Sequence, residues 1–216
     1  MNGNSTDFWN QKHEKYAISD WIVKPTIFLN QVIKYFPYKG KVLELGCGQG
    51  ADAIFLASKG YSVEANDFSQ TAIDYAIKQT PGSLRNLINY YVFDLNNKLY
   101  FENKFDVVYS HLSLHFFTEE RTKQLMDEVY TSLKPGGIFS ILLNSISDPE
   151  TKLYKKIGDD YFIDADGQTK RYFSTGSLKQ YISKFDTLLL DDKGGTWKDK
   201  IKGVHGLIRF VGRKQN

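Results

Sequence analysis

The chain has very little cysteine: Cys47 is the single one among 216 residues, and a lone cysteine cannot form an internal disulfide. The sequence also has no apolar run of about 18 residues or more, the length that a membrane-spanning helix requires. Residues 1–7 are polar and lack the basic-then-apolar order of a secretory signal. These absences exclude a disulfide-stabilised secreted scaffold and predict a soluble, cytoplasmic protein.

The chain also has little excess of positive over negative charge: the formal net charge is only +3, and the lysines are scattered among carboxylates. No basic stripe of the kind that holds a phosphate backbone is present, so we expect neither a nucleic acid nor a membrane as partner. Internal repeats, low-complexity segments and linkers rich in Pro, Gly or Ser are missing as well. Residues 1–216 are therefore predicted to form a single domain.

Apolar periodicity predicts helices that alternate with short strands. Alternation of this kind indicates right-handed crossovers and a parallel sheet covered on both faces. Five helices are predicted: 8–16, from near Pro25 to Pro37, about 51–59, from the cap Ser69 to Pro81, and from Thr118 to Pro135-Gly136-Gly137. The fourth of them is expected to bury Ala72, Ile73, Ala76 and Ile77 on one face. The predicted strands cover 42–45, 61–67, 88–93, 105–109 and 138–143.

The last third of the chain breaks this alternation. Residues 147–174 are predicted to be polar and irregular, with one short helix around Leu153, and a helix follows at 178–184. The apolar runs 185–190 and 204–211 are typical of a hairpin, and we expect it to place an antiparallel strand at the sheet edge. The predicted fold is therefore a doubly wound α/β domain, with a mainly parallel, seven-stranded Rossmann-like sheet and a C-terminal antiparallel hairpin strand.

Polar residues and glycines follow four of the predicted strands. The first strand ends in the cluster Gly46-Cys47-Gly48-Gln49-Gly50, the second at Asp67, the third at Asp94 and the fourth at Ser110-His111. Ligands of open parallel sheets bind at the carboxyl ends of the strands. Glycines allow close backbone approach, and the helix that follows favours an anionic group. Asp67 follows Gly46 by about 20 residues, the spacing at which a second-strand acid reaches ribose hydroxyls, so a nucleoside ligand is predicted.

Two alternatives remain open from the residues themselves. The pattern Gly46-x-Gly48-x-x-Ala51 also satisfies the nicotinamide dinucleotide fingerprint. Against that fingerprint stand the acid Glu44, the additional Gly50 and the helices before the first strand. Asp67 and Asp94 could each simply cap the turn that follows.

Five strings, taken in order, resemble the motif set of class I S-adenosylmethionine-dependent methyltransferases. They are VLELGCGQG, VEANDFS, VFDLN, FDVVYSHLSLH and LKPGG. The segment FWNQKHEKY is similar to small-molecule members, including tellurite-resistance and thiol methyltransferases. The resemblance implies transfer of a methyl group from S-adenosylmethionine to an O, N or S atom of a small molecule, with S-adenosylhomocysteine as product. The alternatives are a nicotinamide-dependent oxidoreductase and a non-catalytic nucleoside-binding regulatory module.

The resemblance also implies a set of cofactor-binding residues. An ionised carboxylate only accepts hydrogen bonds, which suits contacts to hydroxyls and amines. The implied roles are backbone contacts from Gly46, Cys47 and Gly48 to the methionine portion, Glu44 near its amino group, Asp67 at both ribose hydroxyls, Phe68 beside the adenine, Asp94 at the adenine amino group, Leu95 against the ring, and Ser110 bordering the methionine portion.

Two histidines follow the fourth strand, on the side from which an acceptor would approach. His111 and His115 are candidate general bases for a hydroxyl or thiol acceptor. Their i, i+4 spacing would place them on one helical face, although packing among aromatics is the alternative role. Because neither carboxylate nor cysteine accompanies them, no metal site is predicted.

Aromatic residues make up 15% of the chain, more than one core needs, and some are expected to line a pocket. The N-terminal helices within 1–40 either pack on the sheet or fold over the cofactor as a lid. The segment 147–174 is predicted to be a substrate-side insert. Its aromatics, the expected acceptor wall, are Tyr154, Tyr161, Phe162, Tyr172 and Phe173. The sequence leaves the acceptor and the oligomeric state undetermined.

Overall fold

A computed structural model describes residues 5–197 and 206–215. The helices in these ranges are α1 (Thr6–Tyr16), α2 (Ile27–Val32), α3 (Ala51–Ser58), α4 (Gln70–Gln79), α5 (Glu119–Ser132) and α6 (Thr175–Ile182). The strands are β1 (Lys41–Leu45), β2 (Ser62–Asp67), β3 (Ile88–Val92), β4 (Phe105–His111), β5 (Leu133–Asn144), β6 (Lys155–Gly158), β7 (Tyr161–Ile163), β8 (Thr169–Arg171), β9 (Phe185–Gly194) and β10 (Leu207–Lys214). No helix of these ranges has both the length and the apolar character needed to cross a membrane.

Seven of the described strands form one sheet in the order β3-β2-β1-β4-β5-β10-β9. The pairs from β3 through β5 are parallel, and β10 is antiparallel to both β5 and β9. The strand order reverses between β1 and β4, and such a switch point opens a crevice at the carboxyl ends of the strands. The predicted fold class is confirmed.

Two apolar cores cover the two faces of this sheet, because side chains alternate along each strand. Val42 of β1 lies in the core beneath α2, α3 and α4. Leu43, the next residue, lies in the core beneath α5 and α6. The crevice at the strand ends is therefore held between two rigid layers.

The predicted helix starts at Ser69 and Thr118 are confirmed by their caps. Ser69 Oγ accepts from Ala72 N at 3.1 Å, and Thr118 Oγ1 accepts from Arg121 N at 3.3 Å. The predicted buried stripe of α4 is wrong at one position, since Ile77 is 49% exposed. Helix α4 buries only the narrower stripe of Ala72, Ile73 and Ala76, and Ile77 lies at its solvent edge.

The expected helix stop at Pro135-Gly136-Gly137 is wrong. Helix α5 ends at Ser132, and Leu133 is already extended, with φ −77° and ψ 141°. Strand β5 therefore contains the Pro-Gly-Gly segment, and its pairing with β4 is irregular between Phe105 and Val107. An irregular stretch tolerates a proline because the missing N–H is not needed for the ladder there.

The insert 147–174 is more regular than predicted. Strands β6, β7 and β8 form a separate antiparallel sheet, and a 3-10 turn at Pro149–Lys152 replaces the helix expected around Leu153. Strands of three or four residues are too short to show a clear period, which is why the pattern missed them.

The C-terminal hairpin forms, but the position predicted for its antiparallel strand is wrong. The antiparallel strand β10 lies between β5 and β9, and β9 forms the edge. Pairing on both sides buries Leu207, Ile208, Phe210 and Val211. Val204, with which the predicted strand began, lies outside the described residues.

Candidate functional site

The loop between β1 and α3 is a glycine turn, Gly46 to Gly50, that only glycines adopt readily. Gly46, Gly48 and Gly50 have φ of +71°, +54° and +81°, a region that disfavours a Cβ. Cys47 N donates to Asn66 O at 2.8 Å, which ties the glycine turn to β2. A side chain at 46 would overlap Ser113, and a Cβ at 50 would lie 2.7 Å from the Tyr90 hydroxyl. The glycine turn is thus fixed by its neighbours before any ligand binds.

Asp67, the last residue of β2, is turned toward this glycine turn. Its Oδ2 accepts from Gly48 N at 2.8 Å, and its Oδ1 accepts from Ser69 N at 2.9 Å. The capping role that the sequence left open is therefore real. Each carboxylate oxygen has a second lone pair, so the same side chain can still accept from two hydroxyls.

Glu44 on β1 is the most unusual charge of the site. It is 3% exposed, and among the described residues its Oε2 has no hydrogen-bond partner. Burial raises the pKa of Glu44 well above its usual value, and the nearby carboxylates Asp52 and Asp67 raise it further. A buried acceptor without a donor is suited to a cationic partner such as an ammonium group.

A second buried carboxylate, Asp52 in the first turn of α3, was missed by sequence reasoning. Its Oδ1 accepts from Thr26 N at 2.7 Å, and its Oδ2 accepts from Thr26 Oγ1 at 2.8 Å and from the Tyr109 hydroxyl at 2.7 Å. Thr26 is also the N-cap of α2. The network ties α2, α3 and β4 together directly beneath the glycine turn. A threonine before a helical stripe was the available signal for the cap, but nothing in the sequence indicated its partner.

Two of the residues predicted to hold the adenine, Asp94 and Leu95, lie beyond β3, and the third, Phe68, follows β2. Asp94 Oδ1 accepts from Asn96 N and Nδ2 at 2.8 and 2.9 Å, which is the capping arrangement that the sequence left open. Leu95 is buried in the core beneath α5 and α6, and Phe68 is half-buried after β2. Phe93 N donates to Asp67 O at 2.9 Å, so the ends of β2 and β3 adjoin.

Ser110 and His111 are the last residues of β4 rather than the residues that follow it. The Ser110 side chain is fully buried, and its Oγ lies 2.6 Å from Ser113 Oγ, which donates to Leu45 O. Only the backbone of Ser110 is therefore left to border a ligand. His111 is half-buried at the strand end.

His115 lies in a turn, and the expectation of a helical face shared with His111 is wrong. Leu112 has φ +54°, which breaks the chain direction directly after β4. His115 is 2% exposed, and its Nδ1 has no hydrogen-bond partner among the described residues. Burial lowers the pKa of His115 well below its usual value, and Lys170 and His111 lower it further. The imidazole is therefore neutral at pH 7.

The side chain of Cys47 is packed in the protein interior. Its thiol is buried, and Sγ donates to Gly48 O at 3.6 Å. Burial raises the pKa of the Cys47 thiol, so the nucleophilic thiolate is suppressed. Among the described residues, no group of three His, Cys, Asp or Glu side chains is placed so that it could hold a metal ion.

Helix α1 lies across the glycine turn and contacts three parts of the site. Gln49 Nε2 donates to His13 O at 2.7 Å, and His13 Cε1 would lie 3.4 Å from a Cβ at Gly48. Asn10 Oδ1 accepts from Ser69 Oγ at 2.6 Å. The Trp9 ring meets the Phe116 ring edge-on, with centroids 5.1 Å apart. These contacts place α1 over the carboxyl ends of β1, β2 and β4.

Comparison with known proteins agrees with this arrangement. Residues 42–137 match the family described as a methyltransferase domain. An uncharacterized methyltransferase of Synechocystis sp. is 35% identical over 103 residues, which are 47% of this chain and 46% of that protein. The probable S-adenosyl-L-methionine-dependent methyltransferase TehB of Haemophilus influenzae is 22% identical over 189 residues, 88% of this chain and 61% of that protein. The chain therefore spans about half of the first relative and under two thirds of the second.

A solved structure matches nearly the whole chain. It is the 1,6-didemethyltoxoflavin-N1-methyltransferase of Burkholderia thailandensis, with bound 1,6-didemethyltoxoflavin and S-adenosylhomocysteine. The TM-score is 0.73 at 14% identity, and the match covers 97% of this chain and 85% of that one. At this identity the likeness shows the fold alone.

The comparisons define the class: the chain has the class I methyltransferase fold, and its residues 42–137 match the methyltransferase-domain family. The resemblance predicted from the five motif strings is confirmed. Within that class, the chain is similar to TehB along most of its own length.

Proposed function

We propose that this protein transfers a methyl group from S-adenosylmethionine to an O, N or S atom of a small molecule. The observation that carries the proposal is the convergence of three features at one edge of the sheet. The glycine turn, the buried unpartnered Glu44 and the strand-end acid Asp67 lie within one another's electrostatic reach. Together they offer a backbone cradle, an acceptor for an ammonium group and an acceptor for a hydroxyl pair.

The residues present fit this cofactor. S-adenosylmethionine supplies a methyl group activated by a sulfonium. The unpartnered Oε2 of Glu44 would accept from the ammonium of the methionine portion, and Gly46, Cys47 and Gly48 would approach that portion with their backbone. Asp67 would use its remaining lone pairs for both ribose hydroxyls. Phe68, Asp94 and Leu95 are assigned to the adenine, and Ser110 borders the methionine portion through its backbone.

The acceptor side is assigned to the segment after β4 and to the insert 147–174. Transfer depends mainly on alignment of the acceptor and on exclusion of water. We assign His111 and His115 as the candidate bases, since a neutral imidazole can take the proton that a hydroxyl or thiol acceptor loses. Replacing each with Gln tests this role. If the histidine is the base, the variant has a lower kcat and loses the fall in rate that protonation of the imidazole causes at low pH. If it is a packing residue, the variant changes stability and leaves the pH profile in place.

We further propose that α1 closes over the bound cofactor. Its contacts reach the glycine turn through His13 and the start of α4 through Asn10. A small acceptor, without nucleic acid, and a cytoplasmic location fit the scattered charge of the chain. The bound small molecule of the Burkholderia thailandensis structure supports this class of acceptor.

Thermal unfolding of the purified protein with S-adenosylmethionine, S-adenosylhomocysteine or NAD tests the cofactor assignment. A ligand at about 100 times its dissociation constant adds roughly 2.7 kcal/mol to the free energy of unfolding. We expect this for the two adenosyl amino acids and not for NAD. The variant Asp67→Asn is expected to lose most of the effect, and Asn10→Ala to raise the dissociation constant more modestly by freeing α1.

Stabilisation by NAD alone would support the oxidoreductase alternative and reject the proposal. Formation of S-adenosylhomocysteine across a panel of small hydroxyl, amine and thiol compounds then tests turnover. Binding without acceptor-dependent product on any of the three classes would favour the regulatory module.

A further inference from the structure

A cavity of about 220 Å³, separate from the crevice at the strand ends, lies between the three-stranded sheet and helices α5 and α6. Its lining includes Arg171 of β8, the aspartates 159 and 160 of the β6–β7 turn, and Gln180 and Tyr181 of α6. None of these residues belongs to the proposed cofactor site. The cavity nevertheless belongs to the acceptor side, because Asp159, Asp160 and Arg171 lie in the insert 147–174 and Arg171 N donates to His115 O at 2.7 Å.

Arg171 is the dominant charge of this cavity. The residue is only 6% exposed, and its guanidinium lies over the Tyr161 ring at 5.0 Å from the centroid. Its Nη1 donates to the Asp159 carbonyl at 3.1 Å, while its Nε has no hydrogen-bond partner among the described residues. Within the described residues, Arg171 also forms no ion pair with a carboxylate.

A buried guanidinium without an ion pair would be stabilised by a bound anion. Guanidinium is always charged, and its planar edge pairs best with a carboxylate or phosphate through two parallel hydrogen bonds. Tyr161 occupies one face of the guanidinium and Asp159 O accepts from Nη1. The Nε–H is therefore a buried donor that no described residue uses.

The rest of the lining carries the opposite charge. Asp159 is exposed and Asp160 is half-buried; both line the cavity, and neither forms an ion pair within the described residues. Glu119 also lines the cavity, but Lys123 pairs with it at 2.5 Å. A simple anion such as phosphate would meet the two unpaired aspartates at close range. A ligand with a cationic group beside its anionic group would satisfy both.

We propose that this cavity binds a small zwitterion of the α-amino acid class. Its carboxylate pairs with the Nε edge of Arg171, and its ammonium lies between Asp159 and Asp160. The volume of about 220 Å³ suits a molecule of this size. The proposal does not depend on methyl transfer, because it concerns residues outside the cofactor site.

Isothermal titration calorimetry of the full chain with each of the twenty protein L-amino acids tests this site. The titrations contain no adenosyl compound. We expect saturable binding of at least one of the amino acids. For the tightest amino acid, its carboxamide and its deaminated acid should each bind at least tenfold more weakly. Absence of binding across the panel, or equal binding of the carboxamide, overturns the proposal.

Two pairs of variants locate the binding. Arg171→Gln should lower affinity at least tenfold, while the neighbouring Lys170→Gln, outside the cavity lining, should leave it unchanged. Asp160 is half-buried and has φ +53°, a backbone conformation that asparagine tolerates well, so Asp160→Asn keeps the fold even if Arg171→Gln does not. Asp160→Asn should weaken the amino acid several-fold and spare the deaminated acid, and the exposed Asp166→Asn serves as its control. Equal affinity of Asp160→Asn and the unchanged chain would overturn the zwitterion assignment.

Discussion

At the scale of single residues, Glu44 shows how a charge is kept inside an apolar strand. Its neighbours along β1 are buried leucines, and the adjacent helix contributes a second carboxylate, Asp52, instead of a cation. Asp52 is fully hydrogen-bonded by Thr26 and Tyr109, whereas Glu44 Oε2 is not. The protein therefore tolerates one unsatisfied acid, at the position where a cationic ligand group is proposed to bind.

Replacement of Glu44 by Gln should stabilise the free protein at high pH. The pKa of Glu44 is raised in the folded state above its ordinary value of 4.5, so the stability it contributes is full below about pH 4.5 and is lost as the pH rises through the folded pKa. Urea unfolding should give Glu44→Gln about 1–3 kcal/mol more stability at pH 8 and no gain near pH 4. The same variant should bind S-adenosylmethionine more weakly.

Glu64→Gln provides the matched control for this pH dependence. Glu64 lies on the adjacent strand β2 and pairs with Lys104 at 2.6 Å, so its replacement should bring no gain at pH 8. A loss of stability at pH 8 in Glu44→Gln would show that the carboxylate is satisfied in the folded protein.

The positions of the candidate site residues were predictable from sequence only where the course of the backbone decides them. The strand-end positions of Asp67 and Asp94 followed from the order of strands and helices, and both residues lie at those strand ends. The Asp52–Thr26–Tyr109 network was not predictable, because its members are far apart in sequence and only the packing of α2 against α3 brings them together. The same holds for Ser113, whose approach to the glycine turn depends on the bend at Leu112.

At the scale of elements, long periodic segments were predicted well and short ones poorly. Helix α5 and strand β2 were located within a few residues, since each has a clear apolar period and a cap or turn at its boundary. Strands β6 to β8 have three or four residues each and were missed. Strand β5 begins earlier than expected because an irregularity in its pairing with β4 accommodates Pro135. No local sequence pattern predicts that irregularity.

Gly212 in β10 is an element-scale requirement that can be tested. A Cβ at this position would overlap the Phe210 ring and would lie 2.8 Å from Phe185 Cβ. We expect Gly212→Ala to lower the free energy of unfolding by about 1–3 kcal/mol, the usual cost of overpacking, as measured by urea unfolding. At Gly82 a Cβ would meet no atom within 4 Å. Gly82→Ala should therefore be neutral or slightly stabilising, and equal losses in both variants would contradict the packing explanation.

At the scale of the whole molecule, the sheet depends on pairing between strands that are distant in sequence. Strand β10 pairs with β5 along seven residue positions and with β9 along another seven. Helix α1, of similar length, buries only His13. The fold class could be predicted because helices precede or follow most of the first five strands, but the interior place of β10 could not, since a hairpin fits either side of its partner.

Two deletions compare these contributions. A chain that ends before Leu207 should lose its cooperative unfolding transition, because β5 and β9 would both keep unpaired edges. A chain that starts after Tyr16 should retain a cooperative transition while binding S-adenosylmethionine more weakly. Circular dichroism during thermal unfolding distinguishes the two, and a sharp transition in the chain without β10 would contradict the central role of that strand.

The interior position of β10 also bears on how the protein is made. During synthesis β5, the insert, α6 and β9 all leave the ribosome before the strand that lies between β5 and β9. The growing chain must therefore hold a gap in its sheet until residues 207–214 emerge. In that interval it exposes two open strand edges beside apolar surface, and it should depend on chaperones more than its final stability would suggest.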